Sequence, residues 1–163
     1  MNRCPPENAP QLKEHFAWHE KLIARACLAG IVLCAVLSIY PASPGVAVGY
    51  AVFVVLGGLV VVYDALCVYC PYPFTHADCL FYPYWLVGRW ARLRAGPIPW
   101  PRKAASAFLF VGMFAVPQYW LWSNGLLAAI FWGATAVLAV LVPMHLCTRC
   151  CHSRCPLNRT RPA

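Results

Sequence analysis

Seven of the ten cysteines in this chain fall into two clusters, and each cluster starts where an apolar run ends. The first is Cys67-Val-Tyr-Cys70-Pro71, followed by His76 and Cys79. The second is Cys147-Thr-Arg-Cys150-Cys151-His152-Ser-Arg-Cys155-Pro156. A C-x-x-C pair presents two thiolates to one ion, and two such pairs complete a tetrahedral zinc site or hold an iron–sulfur cluster. Cys67, Cys70, Cys79, Cys147, Cys150, Cys151 and Cys155, with His76 and His152, exceed one four-coordinate site. They suffice for two sites, or for one cluster with spare thiols. Spacing does not separate zinc from iron–sulfur. The plainer alternative is a set of interfacial cysteines without chemistry, some of them palmitoylated.

If a helix continues through the second cluster, Cys147, Cys150, Cys151 and Cys155 share one helical face at i, i+3, i+4 and i+8. Otherwise the chain turns at Cys150-Cys151 into a metal-binding knuckle. Pro156 stops the element in either case. The ending Cys151-x₃-Cys155-Pro156 resembles the last part of the bacterial ferredoxin run C-x₂-C-x₂-C-x₃-C-P. Met144 and Thr148 stand where that run needs cysteine.

The elements that must position these thiols are membrane helices. Apolar residues make up 61% of the chain and charged residues 11%, against about 45–50% and about 25% in soluble domains. Too little polar surface exists to cover a soluble core. The expected fold is all-α: a polytopic four-transmembrane-helix bundle, residues 1–163 forming one membrane domain. The expected spans are 22–40, 46–66, 104–122 and 126–146, each close to the length that crosses a hydrocarbon core of about 30 Å. Residues 1–10 read as an irregular tail and Gln11–Arg25 as an amphipathic juxtamembrane helix running into the first span. Pro41-Ala-Ser-Pro44-Gly45 and Ser123-Asn124-Gly125 read as tight turns. Gly57-Gly58 permits close helix approach within the bundle. Pro117 and Pro143 are expected to kink spans three and four near their ends.

The central connection, residues 67–103, interleaves aromatics with arginines from Phe81 to Arg94. That pattern predicts an interfacial helix with rings in the lipid and guanidinium groups outward. The membrane interface accounts for every residue type in this basic stretch, so no nucleic-acid partner is expected. The lipid bilayer is the expected partner, with a redox or membrane-complex protein beside it if the site carries electrons.

The short turns at 41–45 and 123–125 carry no Lys or Arg, and all 13 positive charges lie on the other side of the expected spans. The positive-inside rule therefore places both termini and the central connection in the cytoplasm, of a plasma or inner membrane. Both clusters, 67–79 and 147–155, then emerge at one reducing face. Clustered cysteines in such a compartment point to metal binding or catalysis rather than structural disulfides.

Other residues carry weaker signals. Asp64 lies three residues before Cys67 on the same helical face, and an ionisable group at that depth is a candidate for function or for reaching the headgroups. His15 and His19 have the i, i+4 spacing that can chelate an ion, but an amphipathic surface explains them without HExxH. Cys27 and Cys34 read as small packing residues. Gln118 and Pro117 suggest a polar spot in span three with no visible partner.

Three functions are compatible with this pattern. The first is a non-enzymatic membrane protein with a cytoplasmic-face metal or iron–sulfur site, structural or electron-transferring. The second is a thiol–disulfide oxidoreductase: four spans with a C-x-x-C near the membrane loosely resemble the quinone-linked disulfide-forming enzymes and the vitamin K epoxide reductase relatives. Those families act on the extracytoplasmic side, whereas Cys67 and Cys70 are predicted inside. The third is soft-metal transport, supported within the spans only by Cys27 and Cys34. With five acidic residues in the chain, hydrolytic acid–base chemistry is not expected.

Overall fold

A computed structural model describes residues 15–65, 67–70, 74, 78–82, 94 and 98–146, with the backbone alone at 143, 145 and 146. All regular elements among them are helical. The four principal helices are α1 (Trp18–Ile39), α2 (Pro44–Gly57), α3 (Trp100–Ala115) and α5 (Gly125–Val140); a short α4 (Gln118–Leu121) links α3 to α5. Three stretches are long and apolar enough to cross a membrane: Trp18–Ile39, Pro44–Tyr69 and Trp100–Leu121. Gly125–Val140 is apolar but shorter, and a π-helical turn, Leu141–Leu146, extends it.

Each boundary has a local cause. α1 starts where the Glu20 carboxylate accepts the Ala17 N–H at 2.9 Å, one of the donors that a helix start leaves over. From Trp18 it runs unbroken into the apolar stretch, so the expected juxtamembrane helix and first span are one element from that residue on; residues 1–14 lie outside the described residues. Pro44, expected in a turn, instead opens α2 at a position where its missing N–H costs nothing. The Asn124 side chain accepts the Leu127 N–H at 3.2 Å and caps α5.

The expected break at Pro117 is present, between α3 and α4. Proline cannot donate to the carbonyl four residues back, which is that of Met113. The Tyr50 hydroxyl of α2 donates to that oxygen at 2.8 Å, and Gln118 Nε2 donates to the Phe114 carbonyl at 2.8 Å. In an apolar medium such freed carbonyls need a replacement donor. The polar spot at Pro117 and Gln118 therefore has partners, one of them supplied by another helix. Pro143 falls within the π-helical turn that ends the described chain.

α1 packs against α2 and α5, and α2 against α3. One buried cluster joins Ile31 and Ile39 of α1, Tyr50 and Val54 of α2, Met113 of α3, Leu121 of α4 and Phe131 of α5. The α2–α3 contact depends on glycine from both sides. A Cβ on Gly57 would collide with the Leu109 side chain, and one on Gly112 would lie 2.9 Å from the Phe53 ring. The close approach expected at Gly57-Gly58 is thus realised, and its second glycine faces the Tyr82 hydroxyl, 3.1 Å from a Cβ at that position. Leucines, valines and aromatics lie exposed along all four principal helices, the surface a lipid medium requires.

Candidate functional site

The described thiols of the first cluster lie at one end of the bundle, where α1 begins, α2 ends and α3 begins. Beyond Gly57, α2 continues through a π-helical turn, Gly58–Val62, and the short helix Tyr63–Ala65 to a 3₁₀ turn over Cys67–Tyr69. Cys67 is buried in that turn, and Cys70 follows it half-buried. Cys79 is half-buried in the segment 78–82. Cys67 and Cys79 are close enough to interact electrostatically, and both act on Tyr82. Burial first, and then these two thiols, push the Tyr82 phenol up to about 12. The phenol is therefore a neutral hydrogen-bonding group at any physiological pH.

The segment 78–82 is anchored on α1 by charge. Asp78, 4% exposed, receives the Lys21 ammonium at 2.6 Å and the Phe16 N–H at 2.7 Å, with His15 Nδ1 at 3.8 Å. Burial alone would raise the Asp78 carboxyl. The Lys21 ammonium and the N–H groups of Phe16 and Cys79 outweigh it and hold the carboxyl below its ordinary value. Arg25 supports the same segment, donating Nε to the Leu80 carbonyl at 3.2 Å and Nη2 to those of Cys79 and Tyr82 at 3.3 and 3.4 Å.

A second ion-pair group ties the end of α2 to the start of α3. Arg102 Nε meets Asp64 at 2.7 Å, and Arg94 Nη1 meets it at 3.3 Å. Arg102 also donates Nη1 to the Tyr69 hydroxyl at 2.6 Å, and the Arg94 N–H donates to the Val68 carbonyl at 2.8 Å. Asp64 is therefore an ion-pair acceptor for two arginines that follow it in sequence. This arrangement holds the Cys67–Cys70 turn in place.

The end of α5 reaches the same region. Leu138, Leu141 and Val142 pack with Phe16, Ala24, Leu80 and Phe81 in a second buried cluster. The described chain stops at Leu146, one residue before Cys147.

Of the predicted ligands, Cys67 and Cys79 are within electrostatic range of each other and Cys70 lies one turn from Cys67. His76, Cys147, Cys150, Cys151, His152 and Cys155 lie outside the described residues, as do most of the expected interfacial helix 81–94 and Cys4. Among the described residues no group of three or more His, Cys, Asp or Glu side chains converges as a metal site would need. His15 faces Asp78, and His19 meets Trp18 edge to face at 6.1 Å between ring centres; they do not form a chelating pair with an acid. Cys34 is buried in the helix core and Cys27 is half-buried, as packing residues.

Asp78 and Arg25 are the positions that sequence reasoning passed over. The available signal was scarcity: Asp78 is one of five acids in the chain and adjoins Cys79. No family model, curated protein or solved structure matches this chain.

Proposed function

We propose that this chain is an integral membrane protein of four helical spans whose two cysteine clusters form a thiolate-rich metal site, zinc or iron–sulfur, at its cytoplasmic face. The observation that carries this reading is the packing of Leu141 and Val142 into the buried cluster that Ala24 of α1 forms with Leu80. That cluster holds a residue of the segment bearing Cys79, which supports a course of the chain leading into Cys147 towards that segment, and Cys79 interacts electrostatically with Cys67. The 16 residues of α5 and the six of the following π-helical turn together rise about 30 Å, enough for a fourth span.

The described thiols fit such a site in part. Two ionised thiols side by side, one of them buried, repel each other and lose hydration, and a cation between them offsets both costs. Cys67 and Cys79 supply two ligands; Cys70 and the cysteines from Cys147 onward supply the rest. Asp78, Arg25, Asp64 and Arg102 fix the two segments so that little ordering remains when a metal binds. Bound zinc would pin three helix ends together, and an iron–sulfur cluster would add one-electron transfer to a partner protein.

Metal analysis with an absorption spectrum, on protein purified in detergent without oxygen, tests this reading. Stoichiometric zinc in a colourless sample, or iron and sulfide with broad visible absorption, is the expected result. A metal-free sample with reactive thiols would overturn it. That outcome favours the second reading, thiol–disulfide exchange, for which the electrostatic interaction between Cys67 and Cys79 is the supporting observation.

A further inference from the structure

A shallow, open groove runs along α1, lined by Arg25, Leu33 and the half-buried Leu28, Val32 and Val36 and bounded at the Arg25 end by Phe81, with a volume of about 570 Å³. From Arg25 to Val36 the helix rises about 17 Å at 1.5 Å per residue. One leaflet is about 15 Å deep, half of a hydrocarbon core of about 30 Å. The lining is apolar over this length and basic at one end. Lys21, Arg94 and Arg102 each face an aspartate, but the partners of Arg25 among the described residues are the neutral carbonyls of Cys79, Leu80 and Tyr82. Its charge is therefore not balanced by a carboxylate there, and Nη1 has no bond to another described residue.

We propose that this groove binds one acyl chain of an anionic phospholipid from the leaflet at the thiol-bearing end, with the head-group phosphate on Arg25. Three carbonyls hold the guanidinium in a set orientation without neutralising it, so its Nη1 can donate to a phosphate oxygen and its uncompensated charge favours a lipid of net negative charge over a zwitterionic one. Leu28, Val32 and Val36 then face the chain through successive turns. The length of the groove and the position of its single charge favour a lipid of one leaflet over a soluble anion.

The test is native mass spectrometry of the full chain released from micelles containing equal phosphatidylglycerol and phosphatidylcholine. The wild type should retain one phosphatidylglycerol with about fivefold preference, the order expected for one basic residue at an anionic surface. R25Q should abolish the preference. Because Arg25 also supports the 78–82 segment, V32W provides an independent arm: it leaves Arg25 in place, fills the groove, and should lose the retained lipid with either head group. K103Q removes a cation outside the groove and should leave the preference intact. Retained phosphatidylglycerol in V32W, an unchanged preference in R25Q, or an equal loss in K103Q would each overturn the proposal.

Discussion

At one end of the bundle, Asp64 and Asp78 gather Lys21, Arg94 and Arg102 while Arg25 holds three backbone carbonyls. At the other end, Tyr40–Ser43 and Trp122–Asn124 close with local backbone hydrogen bonds and the Asn124 cap. The second end only has to reverse the chain, and short-range bonds do that. The first has to fix segments distant in sequence against one another, which local bonds cannot do. The described acids, and the described cysteines that are not packing residues, fall together at that end.

This comparison is open to direct attack by substitution. Asp78→Ala leaves the Lys21 ammonium and the Phe16 N–H without their acceptor in a site where the carboxylate is 5% exposed. It should cost about 2–4 kcal/mol, discounted from a fully buried pair because Lys21 is partly solvated. The loss should register as a lower unfolding midpoint in detergent, together with faster maleimide labelling of Cys79. Wild-type stability would show that this acid does not anchor the segment. Next in size is Gly57→Val, expected to cost about 1–3 kcal/mol because the new side chain must displace Leu109. Gly49→Ala is the control: nothing lies within 4 Å of its Cβ position, so it should stabilise by up to about 1 kcal/mol. At the turn end, Asn124→Ala removes one cap and should cost about 1 kcal/mol. Asp64→Asn should cost less than about 1 kcal/mol, because the carboxylate is 44% exposed and its pairs are screened.

Acid sharpens the contrast further. The native Asp78 carboxyl lies below its ordinary value of 3.8. Its contribution is therefore fully present above that value and is lost as pH falls through the lower native one. Maleimide labelling is too pH-dependent for this range, so backbone hydrogen exchange of 78–82 is the suitable readout. Acidification should raise exchange, corrected for intrinsic rate, in the wild type; in Asp78→Asn it should already be high and respond little.

Much of this architecture is legible from local patterns. The apolar runs located three membrane-length helices, the Pro and Gly positions located the turns, and Gly57-Gly58 marked a close helix contact. Pro44 shows the limit of such patterns, since the same residue serves a turn or the first position of a helix. Long-range bonds are a different matter. Asp78 and Phe16 are 62 residues apart, as Tyr50 and Met113 are 63 apart, and no periodicity links them. The need at Pro117 could be anticipated, because a proline always leaves a carbonyl unserved, but the identity of Tyr50 as donor could not. Among the thiols, the C-x-x-C spacing drew attention to Cys70 as the mate of Cys67. Cys79 is legible as a member of the same cluster, but its anchoring through Arg25 and Asp78 is not.

The most direct test of a shared thiolate site compares metal content in two double variants, Cys67→Ser/Cys70→Ser and Cys147→Ser/Cys150→Ser, against wild type. A shared site predicts that both variants lose the same metal to a similar extent. Loss of different metals from the two variants, or no loss from either, would contradict it.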